Sequence, residues 1–184
     1  MTPTNQNIEQ LLLQCKTGDH RAQMEIYNRY YKAMYNTAIR ILKDPYKAED
    51  IMQESFLTAF TKLESLKESH MFGAWLKRIV VNNSIHSYNK KAKHNEVALD
   101  DVLYKVEDEG GVTEDDLNSV RAKQVIETMK TLKSNYQIGL TLHLIEGYDY
   151  EEICDIMNIS YANCRTLISR AKESLRRKLQ PVNT

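Results

Sequence analysis

The chain has 184 residues, of which 42% are hydrophobic and 27% charged. That is the composition of a soluble folded protein, neither disordered nor membrane-spanning, and it suits one domain or two small ones. No apolar run nears the ~20 residues needed to cross a bilayer. The opening MTPTNQNIEQ lacks the basic segment and apolar core of a secretory signal, so a cytoplasmic location is expected.

The formal net charge of zero is an average over unlike parts. Residues 1–94 carry 14 basic and 9 acidic residues (+5), residues 95–120 carry 1 and 9 (−8), and residues 121–184 carry 10 and 7 (+3). Two basic modules therefore flank an acidic strip. Cys15, Cys154 and Cys164 have no CxxC spacing and read as buried reduced thiols. A zinc site from Cys154, Cys164 and His143 is disfavoured, because each falls where a helix would bury a small apolar group.

In chain order, a first helix is predicted over about 6–17, stopping at Gly18. Asp19 can cap a second over 20–42, with an apolar stripe through Ile26, Tyr30, Met34, Ala38 and Ile41. Asp44-Pro45 breaks the chain and starts a third helix, reaching about Leu63. Its stripe of Ala48, Met52, Phe56, Ala59 and Leu63 is a packing face. Asp50, Gln53, Glu54 and Leu57 lie about 150° around from it. An acidic face centred on a leucine suits protein docking better than DNA.

A fourth helix is predicted over 70–91, with Phe72, Trp75, Leu76, Ile79 and Val80 on its apolar face. Asn82, Asn83, Ser84 and Asn89 then crowd poor helix formers together, beside Tyr88 and the cations Lys90, Lys91 and Lys93. Amides, an aromatic ring and lysines are what exposed single-stranded bases require.

The strip 95–120, with Gly110-Gly111, reads as a flexible acidic linker. Thr113 with Asp116 resembles a capping box that restarts helix over about 114–132. Ser134 is expected to cap a further helix ending at Gly147, and Asp149 with Glu152 to box a short helix over 150–157. Asn158 can take the left-handed conformation, and Ser160 recaps a last helix that fades before Pro181.

Residues 149–179 thus have helix-turn-helix proportions. Cys164, Leu167, Ile168, Ala171, Leu175 and Leu179 lie within about 60° of one direction. Arg165, Thr166, Ser169, Arg170, Lys172, Arg176 and Arg177 fill the opposite arc. One face packs; the other can meet phosphates and base edges. The overall expectation is an all-α fold of two small helical modules, 1–94 and 121–184, joined by the linker and ending in a C-terminal helix-turn-helix.

KAEDIMQESFLTAF (47–60) followed by FGAWLKRIVVNNSIHSY resembles region 2 of bacterial RNA polymerase sigma factors of the extracytoplasmic-function group. GYDYEEICDIMNISYANCRTLISRAKESLRRKL resembles their region 4. The resemblance implies a sigma factor that binds core RNA polymerase and directs promoter recognition and DNA melting. It makes Asp50, Gln53, Glu54 and Leu57 the polymerase-docking set. Trp75, Asn82, Asn83, Tyr88, Lys90, Lys91 and Lys93 would serve the −10 element, with Asn82 at the captured base. Arg165, Thr166, Ser169 and Arg170 would read the −35 element, with Lys172, Arg176 and Arg177 nearer phosphates. An anti-sigma protein, often membrane-anchored in the family, is the further partner implied.

Two departures from the family stand out. Ala-Asn-Cys-Arg-Thr-Leu replaces a Gly-Thr-Val-Lys-Ser-Arg-like stretch, so Leu167 stands for a common arginine, and NNS (82–84) is unusual. No cofactor, metal or small-molecule substrate is expected, and the chain is read as no enzyme. There is no Glu-x-x-His pair, phosphate-binding glycine loop, nucleophile elbow or HExxH motif. A response regulator would need strands and a phosphoacceptor aspartate, which 1–94 lacks. A helix-turn-helix repressor would bind intact duplex tightly without polymerase, which a gel shift with purified protein would show.

Overall fold

A computed structural model describes residues 7–94 and 116–180, and all secondary structure among them is helical. The linker, the Thr113–Asp116 capping box and Pro181 lie wholly or partly outside the described residues. The chain divides into two compact units, Met1–Val106 and Glu107–Thr184.

In the first unit, local chemistry sets each helix boundary. Asn7 caps α1 (Ile8–Lys16), and Gly18 takes the positive φ of +83° that turns the chain out of it. Asp19 caps α2 (His20–Leu42), its carboxylate accepting from the amides of Arg21 and Ala22. Asp44 caps α3 (Pro45–Thr61), with proline at the first helical position, where its missing N–H is harmless. The helix stops two residues short of the expected Leu63, which begins a 3₁₀ turn over Leu63–Ser65. A second 3₁₀ turn, Ser69–Met71, delivers the chain into α4 (Phe72–His94), so the fourth helix starts later than the periodicity suggested.

Helices α2, α3 and α4 pack mutually, and α1 closes against α2. Their shared core takes Ile26, Met34 and Ala38 from α2, Ala48, Met52, Phe56 and Ala59 from α3, and Phe72, Leu76 and Val80 from α4. Tyr30, expected in the stripe, is only half-buried; its ring meets Phe72 edge-on at 5.4 Å. A Cβ placed on Gly73 would lie 3.1 Å from that ring, so α2 and α4 approach closely there.

The second unit contains α5 (Asp116–Lys130), α6 (Ser134–Leu140), α7 (Tyr150–Met157) and α8 (Tyr161–Leu179). Two expectations for it are corrected. Ser134 is not a cap: Lys133 holds the cap position without a side-chain bond, and Ser134 is already helical. Nor does one regular helix run to Gly147, because the backbone widens into a π turn over Thr141–Ile145. Its mark is the Glu146 N–H bonded to the Thr141 carbonyl at 2.9 Å, a five-residue step.

Beyond Gly147 the prediction holds in detail. Asp149 and Glu152 form a reciprocal capping box, with bonds of 2.8 and 3.0 Å. Asn158 is left-handed at φ 53°, and the Ser160 hydroxyl accepts from the Asn163 amide at 3.3 Å. Helix α8 rests on α6, α7 and α5 through Cys164, Ile168, Ala171 and Leu175, all buried.

Candidate nucleic-acid and polymerase interfaces

The α3 stripe predicted to pack is buried at Ala48, Met52, Phe56, Ala59 and Leu63. The side of α3 away from it carries Asp50, Gln53, Glu54 and Leu57, all exposed. Leu57 leaves 69% of its surface in solvent. The Gln53 amide donates to Glu49, one turn earlier, at 3.3 Å. Tyr46, on the first turn of the same helix, is 83% exposed and falls on the Leu57 side at i, i+11 spacing, a position that sequence reading passed over.

On α4 the structure separates residues that the sequence grouped. Asn82 and Lys90 are exposed. Asn83 is half-buried, and its amide donates to Ser55 Oγ at 3.0 Å, while Ser55 in turn donates to the Ile51 carbonyl at 2.6 Å. This polar seam joins α4 to α3. Trp75 and Tyr88 are half-buried against the core, with the Trp75 ring 6.0 Å from Phe72. Lys91 and Lys93 belong to α4, but their side chains lie outside the described residues.

Helix α8 divides as its wheel predicts. Arg165, Thr166, Ser169, Arg170, Arg176 and Arg177 are exposed, whereas Lys172 is half-buried. Arg165, Thr166, Ser169 and Arg170 come together with Ala162 around one open concavity of about 470 Å³. Ala162 escaped sequence reading because an alanine carries no polar signal, although it sits on the same arc. Leu167 is half-buried and turned away. A Cβ on Gly139 would lie 3.2 Å from its Cδ2 and 3.1 Å from Ile168 Cδ1, so the residue standing for a family arginine packs onto α6.

Lys178 lies off the basic arc, on the side of the buried stripe. Its ammonium donates to the Thr131 carbonyl at 2.8 Å and to the Thr131 hydroxyl at 2.9 Å. At the α7–α8 contact, burial first and the hydrogen-bonded Cys154 thiol second push the Cys164 thiol up to about 11. It therefore stays protonated and behaves as a small packing group. His143 Nδ1 lies 3.1 Å from the Tyr148 carbonyl and its ring 5.1 Å from that of Tyr150. Among the described residues, no group of three or more His, Cys, Asp or Glu side chains is arranged to hold a metal. No helix among them is long and apolar enough to cross a membrane.

These geometries agree with what the chain resembles. Residues 26–94 match the family model of sigma-70 region 2, and residues 122–175 that of sigma-70 region 4. The ECF RNA polymerase sigma factor SigW of Bacillus subtilis (strain 168) is 31% identical, over 94% of this chain and 97% of that protein. The RNA polymerase sigma-H factor of Pseudomonas aeruginosa is 26% identical, over 97% of each. Among solved structures, the sigma factor RpoE in complex with the anti-sigma factor NepR from Bartonella quintana has a TM-score of 0.59. That likeness covers 88% of this chain and 98% of that one at 19% identity, and supports the fold.

The chain belongs to the extracytoplasmic-function group of the sigma-70 family of RNA polymerase sigma factors. Its function is to bind core RNA polymerase and direct promoter recognition at transcription initiation.

Proposed function

We propose that this sigma factor divides its work among three faces. The exposed face of α3, through Asp50, Gln53, Glu54 and Leu57, docks on core polymerase. The polar end of α4 opens and holds the −10 element: Asn82 takes the extruded base, Tyr88 and Trp75 flank it, and Lys90, Lys91 and Lys93 meet phosphate. Helix α8 enters the major groove of the −35 element with Arg165, Thr166, Ser169 and Arg170, while Lys172, Arg176 and Arg177 face the backbone.

The observation that carries this reading is the sidedness of α8. Its apolar stripe is buried, and its opposite arc presents two arginines around a concavity free of large apolar groups. Such an arc suits base edges bounded by phosphates. Polymerase supplies the chemistry, and this chain supplies placement and strand opening.

The acidic strip 95–120 joins the two DNA-binding parts. Its negative excess keeps it off DNA. An anti-sigma protein is the expected inhibitor, a reading supported by the NepR complex of the Bartonella relative.

The test is run-off transcription from a genomic fragment library with purified protein and bacterial core polymerase. Start sites that depend on the added protein, sharing paired upstream and downstream elements, are expected. Failure to confer any start-site selection would overturn the reading.

A further inference from the structure

The concavity on α8 has a definite chemical character. Its floor is made of small residues: Ala162, Thr166 and Ser169 lie within about 60° of one another on the helix, one turn apart. Arg165 and Arg170 form its two edges. The Thr166 hydroxyl donates to the Ala162 carbonyl at 2.9 Å. That bond uses the hydroxyl proton and leaves its oxygen as an acceptor only, so the apolar groups this face can offer a base edge are the Thr166 γ-methyl and the Ala162 methyl, one turn apart. Leu167, on the same turn, packs onto α6 near Gly139 instead of facing this space.

A major groove offers few partners for such a surface. Guanine presents two acceptors and suits an arginine, whereas an apolar spot between arginines matches the one apolar group on a base edge, a pyrimidine C5-methyl. We infer that the Ala162–Thr166 floor reads a thymine methyl in the −35 element, flanked by guanines that Arg165 and Arg170 contact. This rests on the placement of α8 in the −35 groove, and goes further by naming the base and the atom recognised. A 5-methylcytosine offers the same methyl group, so the shared chemistry is a C5-methyl facing the major groove.

The experiment uses the holoenzyme, this protein with core polymerase, on promoters whose upstream element is randomised. Selection should enrich a thymine next to guanine. Replacing that thymine by deoxyuridine, which deletes only the methyl, should weaken holoenzyme binding about three- to five-fold, the effect of one buried methyl group. Deoxycytidine at the same position should bind better when 5-methylated, by a similar factor, which separates methyl contact from reading of the exocyclic group.

Thr166→Val keeps the methyl and should retain the discrimination; Thr166→Ser removes it and should abolish it. Equal binding of thymine and deoxyuridine by the wild type would overturn the inference. So would discrimination that survives Thr166→Ser but not Thr166→Val, since the hydroxyl would then be the reader. Either result leaves α8 in the groove, because an upstream element is still enriched. Enrichment of no upstream element would instead remove the −35 placement, and this inference with it.

Discussion

Helices α3 and α8 are built to one plan and finished with opposite outer faces. Both bury a stripe of small and medium side chains, Ala48, Met52, Phe56 and Ala59 in one and Cys164, Ile168, Ala171 and Leu175 in the other. Outward, α3 shows carboxylates around a leucine that is 69% exposed, whereas α8 shows arginines around a floor of alanine, serine and threonine. Burial explains why each helix is where it is. The outer face explains what each can meet: an apolar anchor with an acidic rim suits a protein surface, and cations with a shallow floor suit a nucleic-acid groove. Helix α4 stands between the two cases, since part of its polar end is drawn inward by packing.

The contrast is most readily broken at α8. Arg165→Ala combined with Arg170→Ala removes two potential bidentate contacts, and transcription from −35-dependent promoters should fall about 100-fold or more. Binding to core polymerase, measured by co-purification, should be unchanged. A loss of both activities would mean that the two faces are not separate.

A smaller effect is expected at α3. Leu57→Asp places a charge at the centre of the proposed docking face and should weaken association with core polymerase about ten-fold or more. The circular dichroism spectrum should not change, because Leu57 supports little of the core. Unaltered affinity in a fluorescence competition assay would remove α3 as the docking surface.

The smallest effect sharpens the intermediate case. Asn83→Ala breaks the bond to Ser55 and should cost about 1 kcal/mol in urea denaturation. Asn82→Ala, at an exposed position, should stay within about 0.5 kcal/mol of wild type. It should nevertheless reduce open-complex formation, as followed by permanganate reactivity of the −10 strand. The reverse assignment of stability and opening would exchange the roles given to these neighbours.

Legibility in the sequence tracked the range of the interaction. Asp19, Asp44-Pro45, the Asp149–Glu152 box and Ser160 act within three or four residues, so the helix starts they control could be read directly. The sidedness of α3 and α8 follows from a single helical period and was equally plain. The π turn at Thr141–Ile145 was not, since a widened turn keeps the apolar content of a helix and only shifts its phase. Nor could the pairing of Asn83 with Ser55 be foreseen, across 28 residues of chain. Two adjacent asparagines look alike until the fold turns one inward. The sequence places Thr166 among the −35 contacts but does not show that its hydroxyl donates to the Ala162 carbonyl, which leaves its oxygen as an acceptor only.

The bond from Lys178 to Thr131 has a mechanical meaning. The buried stripe seats α8 along its 19 residues, roughly 28 Å, and Lys178 adds a tie from its last turn to Thr131, just beyond α5. In the proposed −35 complex its pitch would then be set partly at a tie well away from any base, and loosening that tie would tilt the helix and shift which step of the duplex each arginine reaches.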